Sequence, residues 1–116
     1  MKASQLLHTA FVCDGHVDTF RNLVRKGGDF LLGSGGWHCS FPRMRQSGLN
    51  LQIAAVYTSL EEVGPTSTVL ALQVFEKIWQ TVEASAGRLR LIQTRQQLVE
   101  LLSRNGQGVL ISLEGA

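Results

Sequence analysis

The sequence predicts an α/β fold built on a parallel sheet, and three observations predict it. Short apolar runs alternate along the chain with stretches of helical periodicity. The apolar runs are apolar at odd and even positions alike, as suits strands covered on both faces. The segments between them are long enough for the crossover that parallel neighbours require. Three such strands with their crossovers make up about one third of an eight-stranded barrel. The expected organisation is therefore a single partial (β/α)-barrel domain over residues 1–116, ending after a third core strand.

The first strand is assigned to Thr9–Gly15, TAFVCDG, apolar and closed by Asp-Gly. A short helix follows in TFRNLVRK, with Phe20, Leu23 and Val24 on one face. The stretch GGDFLLGSGGWHCSF is glycine-rich and reads as a loop. FPRMRQSG is a short helical turn, with Pro42 near its start and Gly48 at its end. Leu49–Ser59 is the second strand, its Leu51, Ile53, Ala55 and Tyr57 alternating with Gln52, Ala54 and Val56.

Thr68–Ala86 is helical: Val69, Leu72, Phe75, Ile78, Trp79 and Val82 recur at spacings of three and four, and Gly87 stops the pattern. Trp79 is placed in the core on this basis. Arg88–Gln93 is a brief extended piece. TRQQLVELLSRNG is a helix with a capping box of Thr94 and Gln97, an apolar stripe of Leu98, Leu101 and Leu102, and a stop at Gly106. Gly108–Ala116 is the third strand, almost wholly apolar until Glu114.

Composition narrows the function. The chain is 44% hydrophobic and 17% charged, with a net charge of +2, and its arginines are scattered, which argues against a nucleic-acid partner. Its two cysteines make no disulfide framework, so a reducing compartment is expected, with Cys13 a small apolar filler. MKASQLLHTAFVCDGHVD makes a poor signal peptide, and the expected location is cytoplasmic. No apolar segment approaches the roughly 18 residues of a membrane span.

The chemistry concentrates at strand ends. In HVD, His16 and Asp18 sit two apart, so on an extended chain they share a face. At the C-terminal end of a barrel strand that face is the active-site rim. An imidazole and a carboxylate there suit zinc, or another divalent ion. Glu114 ends a second apolar strand, where a carboxylate is costly unless paired or bound to a cation. Side by side in a parallel sheet, the two strands bring Glu114 to the same rim as His16 and Asp18. The simpler reading is a polar turn at each strand end. His8 precedes the first strand and His38 lies in a loop, so both read as solvent-exposed. Trp37 is a lid or packing residue. GSGG has no lysine for a phosphate loop.

These residues resemble a known family. DGHVDTF is similar to the opening motif of the membrane (renal) dipeptidases, Asp-Gly-His-x-Asp. HCSFPRMRQSGLNLQIAAVYTS resembles their next block, a Pro-Arg-x-Arg and a glycine before a strand toward an aromatic and Tyr. GVLISLEGA resembles the third, an apolar strand closing on Glu-Gly. The resemblance implies a metal-dependent dipeptidase of the amidohydrolase superfamily on a (β/α)8 barrel with two zinc ions. His16 and Asp18 would hold one zinc, and Glu114 would bridge both. A bridged hydroxide would attack a dipeptide substrate. The family's further histidine ligands and its proton-shuttling aspartate lie later than this chain reaches, so the chain alone is expected to be inactive.

Two rival readings stand beside this one. Other amidohydrolase-type enzymes open on His-x-His, against which Asp18 argues. A non-catalytic βαβ module is the other, since an uncovered last strand favours association with a second chain or a second copy.

Overall fold

In a computed structural model, which describes residues 1–115, the chain forms a four-stranded parallel sheet with helices packed against it. Helix α1 (Ala3–Thr9) leads into strand β1 (Cys13–Val17) and helix α2 (Thr19–Lys26). After the glycine-rich loop come helix α3 (Phe41–Ser47) and strand β2 (Leu51–Val56). A 3-10 turn (Leu60–Glu62), the long helix α4 (Pro65–Ala84), strand β3 (Leu89–Leu91), helix α5 (Arg95–Arg104) and strand β4 (Gln107–Leu113) complete it.

The spatial order is β1-β2-β4-β3, every pair parallel. The three strands expected from the sequence are β1, β2 and β4, adjacent and in sequence order. The brief extended piece at Arg88–Gln93 adds a fourth strand, β3, on the far side of β4. Strands β2 and β4 run in register from Leu51 opposite Gly108 to Val56 opposite Leu113. A Cβ on Gly108 would stand 2.9 Å from a Leu101 methyl, 3.0 Å from Ile92 Cγ1 and 3.2 Å from the Arg90 carbonyl. Helix α5 thus packs closely over Gly108 of β4, and a larger side chain there would push on Leu101 and Ile92.

Strand β2 is buried along nearly its whole length, as the two-faced apolar pattern requires. Its one large polar residue, Gln52, is fully buried. Gln52 Nε2 donates to the carbonyls of Asp14 (3.3 Å) and Ile53 (3.4 Å), and its Oε1 accepts from Cys39 Sγ (3.4 Å). The main core joins Phe20, Leu23, Phe30, Phe41 and Met44 to the inner face of α4, where Val74 and Ile78 are inaccessible. Phe20 and Phe30 stack with centroids 4.6 Å apart.

Several expectations are corrected. The first strand starts at Cys13 rather than Thr9, because helix α1 takes Thr9; this helix has no apolar stripe to announce it and all its residues are exposed. Nor is β1 buried: it lies at the sheet edge, and of its residues only Val17 is half-covered. Asp14 and Gly15 lie inside it, and Cys13 is exposed rather than a filler. Trp79 is 51% exposed, as are Val69 (55%) and Leu72 (61%), so the α4 stripe that reaches the core is narrower than its periodicity. The expected last strand, Gly108–Ala116, ends at Leu113; Ala116 lies outside the described residues.

The free cysteines differ in environment. Burial, then the neighbouring Asp14 charge, raises the Cys39 thiol to about 11 from 9.0, with Arg43 opposing. Since folding raises this pKa, its stabilising contribution is complete below pH 9 and is lost as pH climbs toward 11. Iodoacetamide at pH 8 is expected to label exposed Cys13 while sparing Cys39 until the chain is unfolded in urea; mass spectrometry of the tryptic peptides reads both sites.

Candidate metal centre at the strand ends

His16 is the fourth residue of β1, and Asp18 occupies the N-cap position of α2. Asp14 Oδ1 accepts from His16 N–H at 3.0 Å, tightening the chain just below the pair. The Asp18 side chain makes no capping bond to α2. Its Oδ1 instead lies 3.0 Å from His16 Nε2, and the two side chains are 56% and 40% exposed. The two side chains therefore meet, across the junction of β1 and α2. An imidazole and a carboxylate stand together at the C-terminal end of a parallel strand, neither committed to the backbone.

Glu114 follows β4 directly. Its N–H donates to the Val56 carbonyl at 2.9 Å, prolonging the ladder by one bond, and its side chain is exposed. Register gives the spacing. Val17 is level with Ala54, and Ala54 with Ile111. Asp18 lies one residue past this level and Glu114 three, with β2 between their strands. At about 4.8 Å per strand the lateral offset is roughly 10 Å. All three donors share one rim, but Glu114 faces a different hollow, beside Tyr57, Thr58, Ser67 and Thr68. Among the described residues no three His, Cys, Asp or Glu side chains converge as a cluster for one ion.

The glycine-rich loop borders the pair, a placement the sequence did not assign. The pocket at His16 and Asp18, about 440 Å³, is also lined by Gly36, Trp37 and His38. His38 is exposed, as expected, yet it opens onto the same hollow. Nothing in the spacing of a glycine-rich loop shows where it folds back. Tyr57, directly after β2, carries the Arg21 guanidinium over its ring at 4.6 Å. His8 lies on α1, away from the rim, its Nδ1 2.8 Å from the Ser4 carbonyl oxygen.

A His-Asp pair at the first strand end and a Glu-Gly at the end of a parallel neighbour are the features to compare with known proteins. The family model for membrane dipeptidases, peptidase family M19, matches residues 1–116. The chain belongs to this family. Among solved structures the fold is similar to dipeptidase AC, a metallopeptidase of family M19, with TM-score 0.81 and 22% identity; the match covers 92% of this chain and 36% of that one. It is also similar to a metallopeptidase from Rhodobacter sphaeroides liganded with a phosphinate mimic of the dipeptide L-Ala-D-Ala, with TM-score 0.73 and 19% identity, over 90% of this chain and 38% of that one. No curated protein matches. This M19 chain thus spans little more than a third of the length of the solved structures it resembles. No helix among its described residues is long and apolar enough to cross a membrane.

Proposed function

We propose that the chain carries the first ligands of a zinc-dependent dipeptidase site, His16 and Asp18, with Glu114 as the bridging carboxylate. The observation that carries this reading is the 3.0 Å approach of His16 Nε2 to Asp18 Oδ1, open to solvent at the C-terminal end of β1. One imidazole nitrogen and two carboxylates are a donor set of the right kind for zinc. Of these, His16 and Asp18 stand together, and the remaining positions at each ion fall to Glu114 and to donors from further strands.

When bound, the metal supplies Lewis-acid polarisation of the scissile carbonyl. The chain's own residues do the rest. Asp18 supplies a carboxylate that makes no capping bond to the backbone, His16 supplies an imidazole nitrogen, and Glu114 brings a second carboxylate from across β2. A dipeptide is the substrate class this reading assigns. The chain by itself is inactive, for want of the remaining donors, and its compartment is the cytoplasm, in keeping with unpaired Cys13 and Cys39.

Titration with zinc chloride at pH 7.5 tests the reading by calorimetry. One ion is expected to bind, and His16→Ala or Asp18→Asn to weaken it at least tenfold, about 1.4 kcal/mol. Unchanged affinity in both variants would sink the assignment.

The sheet is open at both edges, β1 and β3. Strand β3 pairs only with Gln107–Val109 of β4. Above it, Leu113 (53% exposed) and Trp79 (51%) flank an apolar groove with Phe75 and Leu91. We infer that β1, β2 and β4 are three adjacent strands of a (β/α)8 barrel, and that this edge associates with further strands or with a second copy. Sedimentation velocity should reveal self-association; a clean monomer that unfolds cooperatively would count against it.

A further inference from the structure

The loop between α2 and α3 is built to hold two side chains against the proposed site. Gly35 and Gly36 have φ of 102° and 74°, and a Cβ on Gly35 would stand 2.6 Å from Trp37 Nε1. That nitrogen donates to the Gly27 carbonyl at 3.1 Å, and Lys26 Nζ lies 5.8 Å from the centre of the indole ring. On the other side, Cys39 and Ser40 are buried, and Ser40 caps α3 by accepting from Arg43 N–H. Arg43 Nη1 also donates to the His38 carbonyl at 3.3 Å. The main chain of His38 is thus fixed from both directions. Its imidazole makes no hydrogen bond to any described residue and stands exposed at the pocket that His16 and Asp18 line.

Fixing the backbone of a loop residue while leaving its polar tip free is what a binding residue needs: the ordering cost falls on the fold and not on the ligand. The pocket's lining includes the Asp18 carboxylate and the Asn22 amide from α2 and its cap, and the Trp37 indole and the His38 imidazole from the loop. A small peptide presents the matching features, polar backbone atoms and a side chain.

We propose that His38 is a substrate-binding residue of this pocket, donating to or accepting from the dipeptide backbone, with Trp37 as the surface on which the substrate side chain packs. The inference rests on the dipeptidase reading above. His38 acts on the peptide and is not a metal ligand, consistent with the lack of a three-donor cluster among the described residues.

The test uses the full 116-residue chain with Trp79→Phe, so that Trp37 is the sole fluorophore of its kind. Zinc chloride is titrated first, then L-Ala-L-Ala into the zinc-loaded protein, following Trp37 emission and calorimetric heat. His38→Ala is expected to weaken dipeptide binding about tenfold while changing zinc affinity less than twofold. His38→Gln, which keeps a hydrogen-bonding tip, should recover part of the loss. Equal dipeptide affinity in His38→Ala overturns the proposal, as does a tenfold loss of zinc affinity, which would make His38 a ligand. Zinc binding without dipeptide binding overturns it while leaving the metal reading intact. Binding of neither overturns both.

Discussion

Replacing Glu62 with Ala should destabilise the chain by roughly 3–5 kcal/mol, because it strips a buried guanidinium of its counter-charge. Glu62 Oε2 accepts from Arg21 Nη2 at 2.9 Å, and its other oxygen pairs with Arg25. The Arg21 and Glu62 side chains are only 11% and 17% exposed, so solvent cannot replace the lost partner. Arg21 Nε is already buried without a hydrogen bond among the described residues, which leaves no slack. Glu62 Oε2 also accepts from Ser59 N–H at 2.9 Å, closing the 3-10 turn. Equilibrium urea unfolding measures the loss. Glu62→Gln keeps the hydrogen-bond geometry but removes the charge, and should fall between the wild type and Ala. A change below about 1 kcal/mol, the size of a surface pair, would show that water reaches Arg21. The consequence extends to the site. Arg21 sits one turn into α2 from Asp18 and lies over Tyr57, so the pair also fixes how α2 meets the rim.

The second large effect is expected at Asn50, which is 1% exposed and joins three segments at the foot of the sheet. Its Oδ1 accepts from Val12 N–H at 2.9 Å, and its Nδ2 donates to Asn105 Oδ1 (2.8 Å) and the Gly106 carbonyl (3.1 Å). Its backbone N–H and C=O are bonded to Val12 and Gly108 as well. Asn50→Ala leaves these groups without partners and should cost about 2–4 kcal/mol. Asn50→Asp retains the acceptor for Val12 but sets a carboxylate against the Asn105 oxygen, so it should not rescue. Because Asn50 ties the lead-in of β1 to β2 and β4, its loss loosens the alignment of His16 with Glu114. Zinc affinity should therefore weaken in a variant that touches none of the proposed ligands. Unfolding curves and the same zinc titration check both halves; an unchanged urea midpoint would refute the network's role.

How legible was this protein in its sequence? Strand β2 was, since an apolar run on both faces has few other uses, and its burial followed. Helix α5 was, since the Thr94–Gln97 box satisfies helix-end N–H groups in a way that sequence spacing encodes directly. The His16–Asp18 contact was less so, for it owes little to a shared strand face: β1 is irregular between Asp14 and Val17, and Asp18 already stands at the N-cap of α2. Helix α1 was not, because none of its side chains is buried and periodicity reports burial. Trp79 misled for a related reason. A stripe records which residues could face a core, and at this position the sheet does not extend far enough to cover the ring.

What the sequence by itself determined is therefore local: the alternation of strands and helices, the parallel pairing that crossovers impose, and the polar residues, His16, Asp18 and Glu114, that stand at two strand ends. The tertiary structure alone decided what depends on distant segments meeting. It put β3 outside β4, set Glu114 across β2 from Asp18, and folded Trp37 and His38 over the His16 pocket. The physical reason is that hydrogen-bonding caps and side-chain alternation act over a few residues. Register, strand order and loop return are chosen by packing between residues tens of positions apart, and no short pattern carries that choice.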